Sequence, residues 1–204
     1  MKKINRNTPP QAYVELITGS SCPQNWTDFV ASYRDIYHAL RNQLLSEQDE
    51  VSGYTEKRLE QDGCIHIDHF RRKGIFGTPV TFDHNNMVVD ERDNVSYGAG
   101  YKDARITRAD YDWLINPIIE DPADFFTYMS DGTMIPRRDI SQEMWDRADR
   151  NIKMFNLNHE YLRHKREGLL KTIESYKSCN MSKAIVNGIF KQIGFYSLID
   201  YVYD

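Results

Sequence analysis

Between Trp26 and Leu45 the apolar residues fall at Trp26, Phe29, Val30, Tyr33, Ile36, Tyr37, Leu40, Leu44 and Leu45. That spacing is an α-helical stripe sustained for about five turns, with Asn25 or Thr27 placed to cap its start. A stripe this long must be buried against something, so 24–47 is read as a scaffold helix around which the rest packs. The chain can supply the partner surface: 40% of its 204 residues are hydrophobic and 12% aromatic, enough for one substantial core. Residues 1–204 are accordingly read as a single unit. Tyr and Phe at 13 and 9 copies argue against disorder, because aromatic burial offsets chain entropy. No apolar run approaches the roughly 18 residues of a membrane span. Thr8-Pro-Pro-Gln stands where the apolar core of a signal peptide would follow the basic start. The expectation is a cytoplasmic protein with no membrane partner.

Cys22, Cys64 and Cys179 form no C-x-x-C pair, so neither a disulfide framework nor a structural zinc is expected. The net charge of −4 is awkward for a chain that must hold nucleic acid alone, since phosphate neutralisation supplies most of such affinity. Positive charge is nevertheless clustered, at Lys57-Arg58, Arg71-Arg72-Lys73, Arg137-Arg138 and Arg163-His-Lys-Arg166, and such runs are as a rule solvated faces.

Outside the stripe the pattern changes. Residues 1–22 read as an irregular lead-in. Cys64-Ile-His-Ile-Asp-His-Phe70 alternates apolar and polar positions as a half-buried strand does. A loop with Gly74, Gly77 and Pro79 follows, then Met87-Val-Val89 as a second strand, and a short helix over Ser96–Ala104. Thr107-Arg-Ala-Asp110 opens a helical turn in capping-box style. A hairpin is expected from Phe125-Phe-Thr-Tyr, Ser-Asp-Gly and Thr-Met-Ile135, then helices from Ser141, over about 159–177 and over about 182–192. The predicted fold class is α+β, a mainly helical scaffold carrying a strand–strand–helix unit at 64–104, with a hairpin and helices over 105–204.

Chemistry concentrates in that unit. A histidine titrating near neutrality can take a proton from water, an adjacent carboxylate can hold a hard divalent cation, and an Asn can fix the geometry by hydrogen bonding. Asp68-His69, Asn86 and Lys102-Asp103 offer those groups in that order. Neighbours on a regular strand point to opposite faces, so Asp68 and His69 share one pocket only where the strand ends or twists.

The strings His66-Ile-Asp-His-Phe-Arg71, Thr81-Phe-Asp-His-Asn-Asn-Met-Val-Val89 and Tyr97-Gly-Ala-Gly-Tyr-Lys-Asp103 resemble the HNH nuclease subunit of Septu anti-phage defence systems, also found in some retrons. The likeness spans roughly residues 24–170. It takes in Gly53-Tyr-Thr-Glu-Lys57, Leu114-Ile-Asn-Pro117, Phe125-Phe-Thr-Tyr128 and Arg147-Ala-Asp-Arg-Asn-Ile-Lys-Met-Phe-Asn-Leu-Asn158. It implies a ββα-metal fold for 64–104 and a phosphodiester-cutting endonuclease. His69 would be the general base, Asn86 its orienting residue and Asp68 a ligand to Mg²⁺ or Mn²⁺. Lys102 would contact phosphate. Separately, the Arg71-Arg72-Lys73 run, because it directly follows the candidate strand, is read from its charge as a nucleic-acid contact. Ala99 stands where many relatives carry a further ligand, and Asp103 or Asn94 is the replacement, Asp103 being preferred. Ser52 stands where close relatives are expected to carry Cys. His84 replaces a common aromatic and is either a wedge under the hairpin or exposed. His66 is read as a core or supporting residue before a ligand.

The implied partners are DNA, with transfer RNA as the alternative substrate, a partner ATPase, and in retrons a reverse transcriptase with its RNA–DNA hybrid. No G-x-x-x-x-G-K-[ST] loop occurs, so ATP hydrolysis would belong to the partner. Two other readings compete: a catalytically impaired module that binds nucleic acid or protein, and an RNase toxin.

Overall fold

A computed structural model describes residues 1–59, 65–92 and 94–204. The expected position of Cys64 at the head of the first strand lies outside the described residues. Among the described residues no helix is long and apolar enough to cross a membrane.

The lead-in holds a helix, α1 (Gln11–Thr18), which buries Tyr13 and Leu16. The single long helix expected from the apolar stripe is instead two, α2 (Trp26–Ser32) and α3 (Arg34–Glu47). Asn25 is the cap, its side chain accepting from the Asp28 N–H. Tyr33 breaks the run at φ −126°, ψ 48°. The break has a packing reason. Trp26 and Tyr37 would stand about 16 Å apart along a straight helix, yet their rings meet edge to face at 6.1 Å. Folding the stripe on itself closes an aromatic cluster of Tyr13, Trp26, Phe29, Tyr37 and Phe82.

Strand β1 (Ile65–His69) pairs antiparallel with β2 (Met87–Glu91), His69 opposite Met87 and His66 opposite Asp90. The excursion between them carries the short helices α4 (Lys73–Phe76) and α5 (Thr78–Thr81) and a 3-10 turn at His84–Asn86. Alternation splits the hairpin cleanly. Ile65, Ile67, Met87 and Val89 pack with α1–α3, whereas Val88 and Phe70 join a second core with Tyr54 and the C-terminal half. Each well-buried aliphatic side chain contributes about 1.5–3 kcal/mol, and this two-sided burial holds the hairpin. Gly53 lets the preceding segment lie against β2: a Cβ there would fall 2.3 Å from Val88 Cγ1. Gln48 completes the seal, donating to the Val89 carbonyl and accepting the Val89 N–H.

The expected helix at 96–104 shortens to α6 (Gly98–Asp103). Gly98 sits at φ +72° directly against the Asp90 carboxylate, which accepts the Ala99 N–H at 2.8 Å. The Thr107–Asp110 capping box forms in both directions ahead of a 3-10 turn. Strands β3 (Phe126–Tyr128) and β4 (Met134–Pro136) make the second hairpin. They are followed by α7 (Gln142–Met154), α8 (Glu160–Ser178), α9 (Lys183–Phe190) and an unforeseen α10 (Tyr196–Tyr203), with Ser141 and Ser182 capping α7 and α9. The architecture is mixed helix and strand, with two small sheets and two cores flanking the first hairpin.

Buried polar side chains lace the C-terminal half. Asn151 accepts the Ile115 N–H and donates to the Trp113 carbonyl. Asn158 pairs with Met134 through both its N–H and its carbonyl, as a strand neighbour would. Arg166, read from sequence as part of a solvated basic run, is only 2% exposed. It donates to the carbonyls of Gly132 and Leu157 and to Asn158. A guanidinium with enough oxygen acceptors is tolerated inside.

Candidate active site

His69 ends β1 and is 3% exposed. Its ring stands edge-on to Trp26 at 4.5 Å. Its Nε2 lies 2.9 Å from the Thr81 carbonyl oxygen. A carbonyl can only accept, so Nε2 carries the proton and the lone pair of the neutral ring is on Nδ1. Burial pushes the imidazole down to about pKa 4, with Lys73 and Lys102 acting in the same direction, against the Thr81 hydrogen bond and the charge of Asp68. At neutral pH it is uncharged.

Asn86 works on the same loop. Its amide donates to the Val80 and Arg71 carbonyls, each at 3.0 Å, and its oxygen accepts the Arg71 N–H at 2.7 Å. His69 and Asn86 therefore hold consecutive carbonyls, Thr81 and Val80, and fix α5 against the strand ends. His84 is the wedge rather than the exposed alternative: it is 8% exposed and its Nε2 is buried with no partner among the described residues.

Asp68 leaves β1 on the other face. Its Oδ2 accepts from Tyr54 Oη at 2.6 Å and Lys102 Nζ at 2.8 Å. The tension between adjacent strand positions is thus real, because β1 remains regular through His69. The two side chains flank the strand on opposite faces, both buried. Lys102 lies at that end. It is fully buried, contacts Asp103 Oδ1 at 3.2 Å, and lies 3.3 Å from the carbonyls of both His69 and Phe70. Burial alone would lower its pKa, but Asp68 and Asp103 outweigh this and hold it above the ordinary lysine value. Burial raises Asp68 in turn, yet Lys102 and Tyr54 overcome it and keep the carboxyl below its usual range. The expectation that Lys102 contacts phosphate is corrected here, since an ammonium with no exposure and four oxygen neighbours is already committed inside.

Of the two residues offered in place of Ala99, Asp103 comes to this place and Asn94 does not. Asn94 binds Glu91 and the Ser96 N–H. Asp103 is partly exposed, and its buried Oδ1 is ion-paired with Lys102 Nζ at 3.2 Å. Burial raises its pKa, against the pull of Lys102. No three His, Cys, Asp or Glu side chains converge among the described residues. Two carboxylates offer the oxygen donors that a hard divalent ion takes, and both contact the Lys102 ammonium that lies between them. Arg72 ties the loop to α6 through the Asp103 carbonyl at 2.9 Å, while Arg71 and Lys73 are exposed.

Several residues around the site carried no role in the sequence reading. Tyr54 appeared only within a matching string, Trp26 only as scaffold and Thr81 only as loop. Asp90 is buried opposite His66, held by the Ser52 hydroxyl and the Ala99 N–H, and burial pushes it up to about pKa 6. A charged residue inside the Met87–Glu91 apolar run was the available signal. Ser52 is buried, and its Oγ also accepts the Tyr54 and Thr55 N–H groups, so a hydroxyl serves well at that position. Set against protein-family models and against curated proteins, the chain matches neither a model nor a protein.

Proposed function

We propose that the chain is an HNH-type, metal-dependent endonuclease and the effector of an anti-phage defence complex that includes a partner ATPase. The observation that carries the reading is the fixed imidazole. His69 holds its Nε2–H on the Thr81 carbonyl while Asn86 grips the neighbouring Val80 carbonyl. The neutral ring directs its Nδ1 lone pair to a water attacking a phosphodiester, and the Thr81 carbonyl steadies the imidazolium that forms. Burial holds the ring at about pKa 4 and not at the near-neutral value expected from the sequence, so it is a weaker base than that expectation implied. Hairpin, intervening loop and following helix occur in the order that a ββα-metal unit requires.

Asp68 and Asp103 would hold a Mg²⁺ or Mn²⁺ ion, which supplies neutralisation of the charge developing on the phosphate. Lys102 holds Asp68 below the usual carboxylate range, opposes the upward shift of Asp103, and fixes α6 on the end of β1. Arg71 and Lys73 are exposed and would meet phosphate beside the site.

The test is cleavage of supercoiled plasmid and of transfer RNA with Mg²⁺ or Mn²⁺, by the chain alone and with the products of neighbouring genes. Cleavage that disappears with His69→Ala is expected, and cleavage that survives it overturns the mechanism. A second reading, a non-catalytic binding module, is favoured by one observation: Lys102 already fills the space between the two carboxylates. Binding without cleavage under every condition would select it.

A further inference from the structure

We propose that the groove between α3 and the first hairpin is a binding site for the sugar–phosphate backbone of a nucleic-acid strand. The groove is open, about 640 Å³ in volume, and bounded by α2, α3, β1, the start of α4 and Arg92 beyond β2. Arg34, Arg41, Lys73 and Arg92 line it, with no carboxylate among the described lining residues. In a chain of net charge −4 this is a local reversal of sign. Arg34, His38 and Arg41 recur at intervals of four and three on α3, so they share one face of the helix. None of the four cations takes part in an ion pair among the described residues.

One further atom points to a missing ligand: Arg41 Nε has no hydrogen-bond partner among the described residues, and Arg41 lines this groove. An anion with acceptor oxygens would supply that N–H with a partner. The groove is larger than one phosphate needs, and its cations stand on separate walls, as successive phosphates of a strand require. Trp26 forms the wall nearest His69, stacked edge-on to it, so a strand lying here passes one indole away from the proposed base. The identity of the ligand rests on the hydrolase reading; the anionic preference does not.

The test is fluorescence anisotropy with a labelled 20-nucleotide single-stranded DNA and the same sequence as RNA, in EDTA, over a series of salt concentrations. Arg34→Ala with Arg41→Ala should weaken binding about tenfold or more at low salt. It should also reduce the salt slope by about 1.4, the value for two phosphate contacts on a single strand. Lys73→Ala with Arg92→Ala, on the opposite wall, should do the same, and both pairs are surface changes whose folding circular dichroism checks. Unchanged affinity and slope in both folded double variants overturns the groove. If the variants lose binding while the wild type cuts neither DNA nor RNA, the groove stands and the nuclease reading falls. If His69-dependent cleavage is present and groove variants bind as wild type, the reverse holds.

Discussion

Lys102 and Arg166 are both buried cations, yet the regions around them solve the same problem differently. Lys102, in the hairpin–helix region, sits on two carboxylates and two carbonyls. Arg166, in the C-terminal half, donates only to neutral oxygens, with the Tyr128 ring 5.9 Å away. Removing Arg166 leaves acceptors without donors, whereas removing Lys102 leaves a negative charge stranded at low dielectric. A region built for packing has settled for neutral acceptors. The candidate site instead keeps opposed charges at close quarters, as functional sites commonly do.

The largest effect expected is on chemistry and belongs to the first region alone. His69→Ala should lower cleavage by about 10²–10⁴-fold, the usual contribution of a general base, with far-ultraviolet dichroism unchanged, whereas Arg166→Met should leave cleavage per folded molecule near wild type. Stability should then separate the two cations. Lys102→Met is expected to cost about 3–5 kcal/mol and Arg166→Met about 1–3 kcal/mol, read from denaturant midpoints. Adding Asp68→Asn to Lys102→Met should restore part of the loss, because the stranded charge goes with it. Equal losses at both cations, or no recovery in the double variant, break the contrast.

Acid sharpens it further. The unfolded chain protonates His69 below its ordinary pKa, while the folded ring refuses the proton until about 4. Its contribution, about 3 kcal/mol by linkage, is complete above pH 6.5 and lost as pH falls toward 4. Asp90 has the opposite sign: with a folded pKa of about 6, its contribution is present below its ordinary pKa and lost as pH rises through 6. Wild-type stability should therefore change little between pH 6 and 4. His69→Gln should gain stability on acidification across that window, and Asp90→Asn should lose it. Parallel profiles for all three proteins would show that these groups do not titrate as their burial demands. The smallest effect expected is at the surface: Arg71→Glu with Arg72→Glu should weaken nucleic-acid binding and flatten its salt dependence.

Local rules made much of the fold legible. The α7, α8 and α9 helices, the Thr107 capping box, both hairpins and the pairing of Met87–Val89 with the His66–His69 strand follow from periodicities and caps that operate within a few residues. The residues of the candidate site were legible as types: a histidine beside an aspartate, an Asn before an apolar triplet, a Lys-Asp pair in a helical turn. Their partners were not. The stripe from Trp26 to Leu45 does not reveal that Tyr33 leaves the helix, because that break is set by aromatic rings meeting across the bend.

The amino-acid order by itself determined the caps of α7 and α9, the strand and helix periodicities of most segments, and that titratable groups cluster over 66–103. Only the tertiary structure decided that Asp68 and His69 part to opposite faces, that Lys102 turns inward across 34 residues to Asp68, and that Arg166 is a core residue. The reason is physical. A helix turn or a strand alternation is fixed by neighbours in the chain, whereas a buried charge or polar atom takes whichever partner packing brings within hydrogen-bond reach, and that choice depends on segments far apart in sequence.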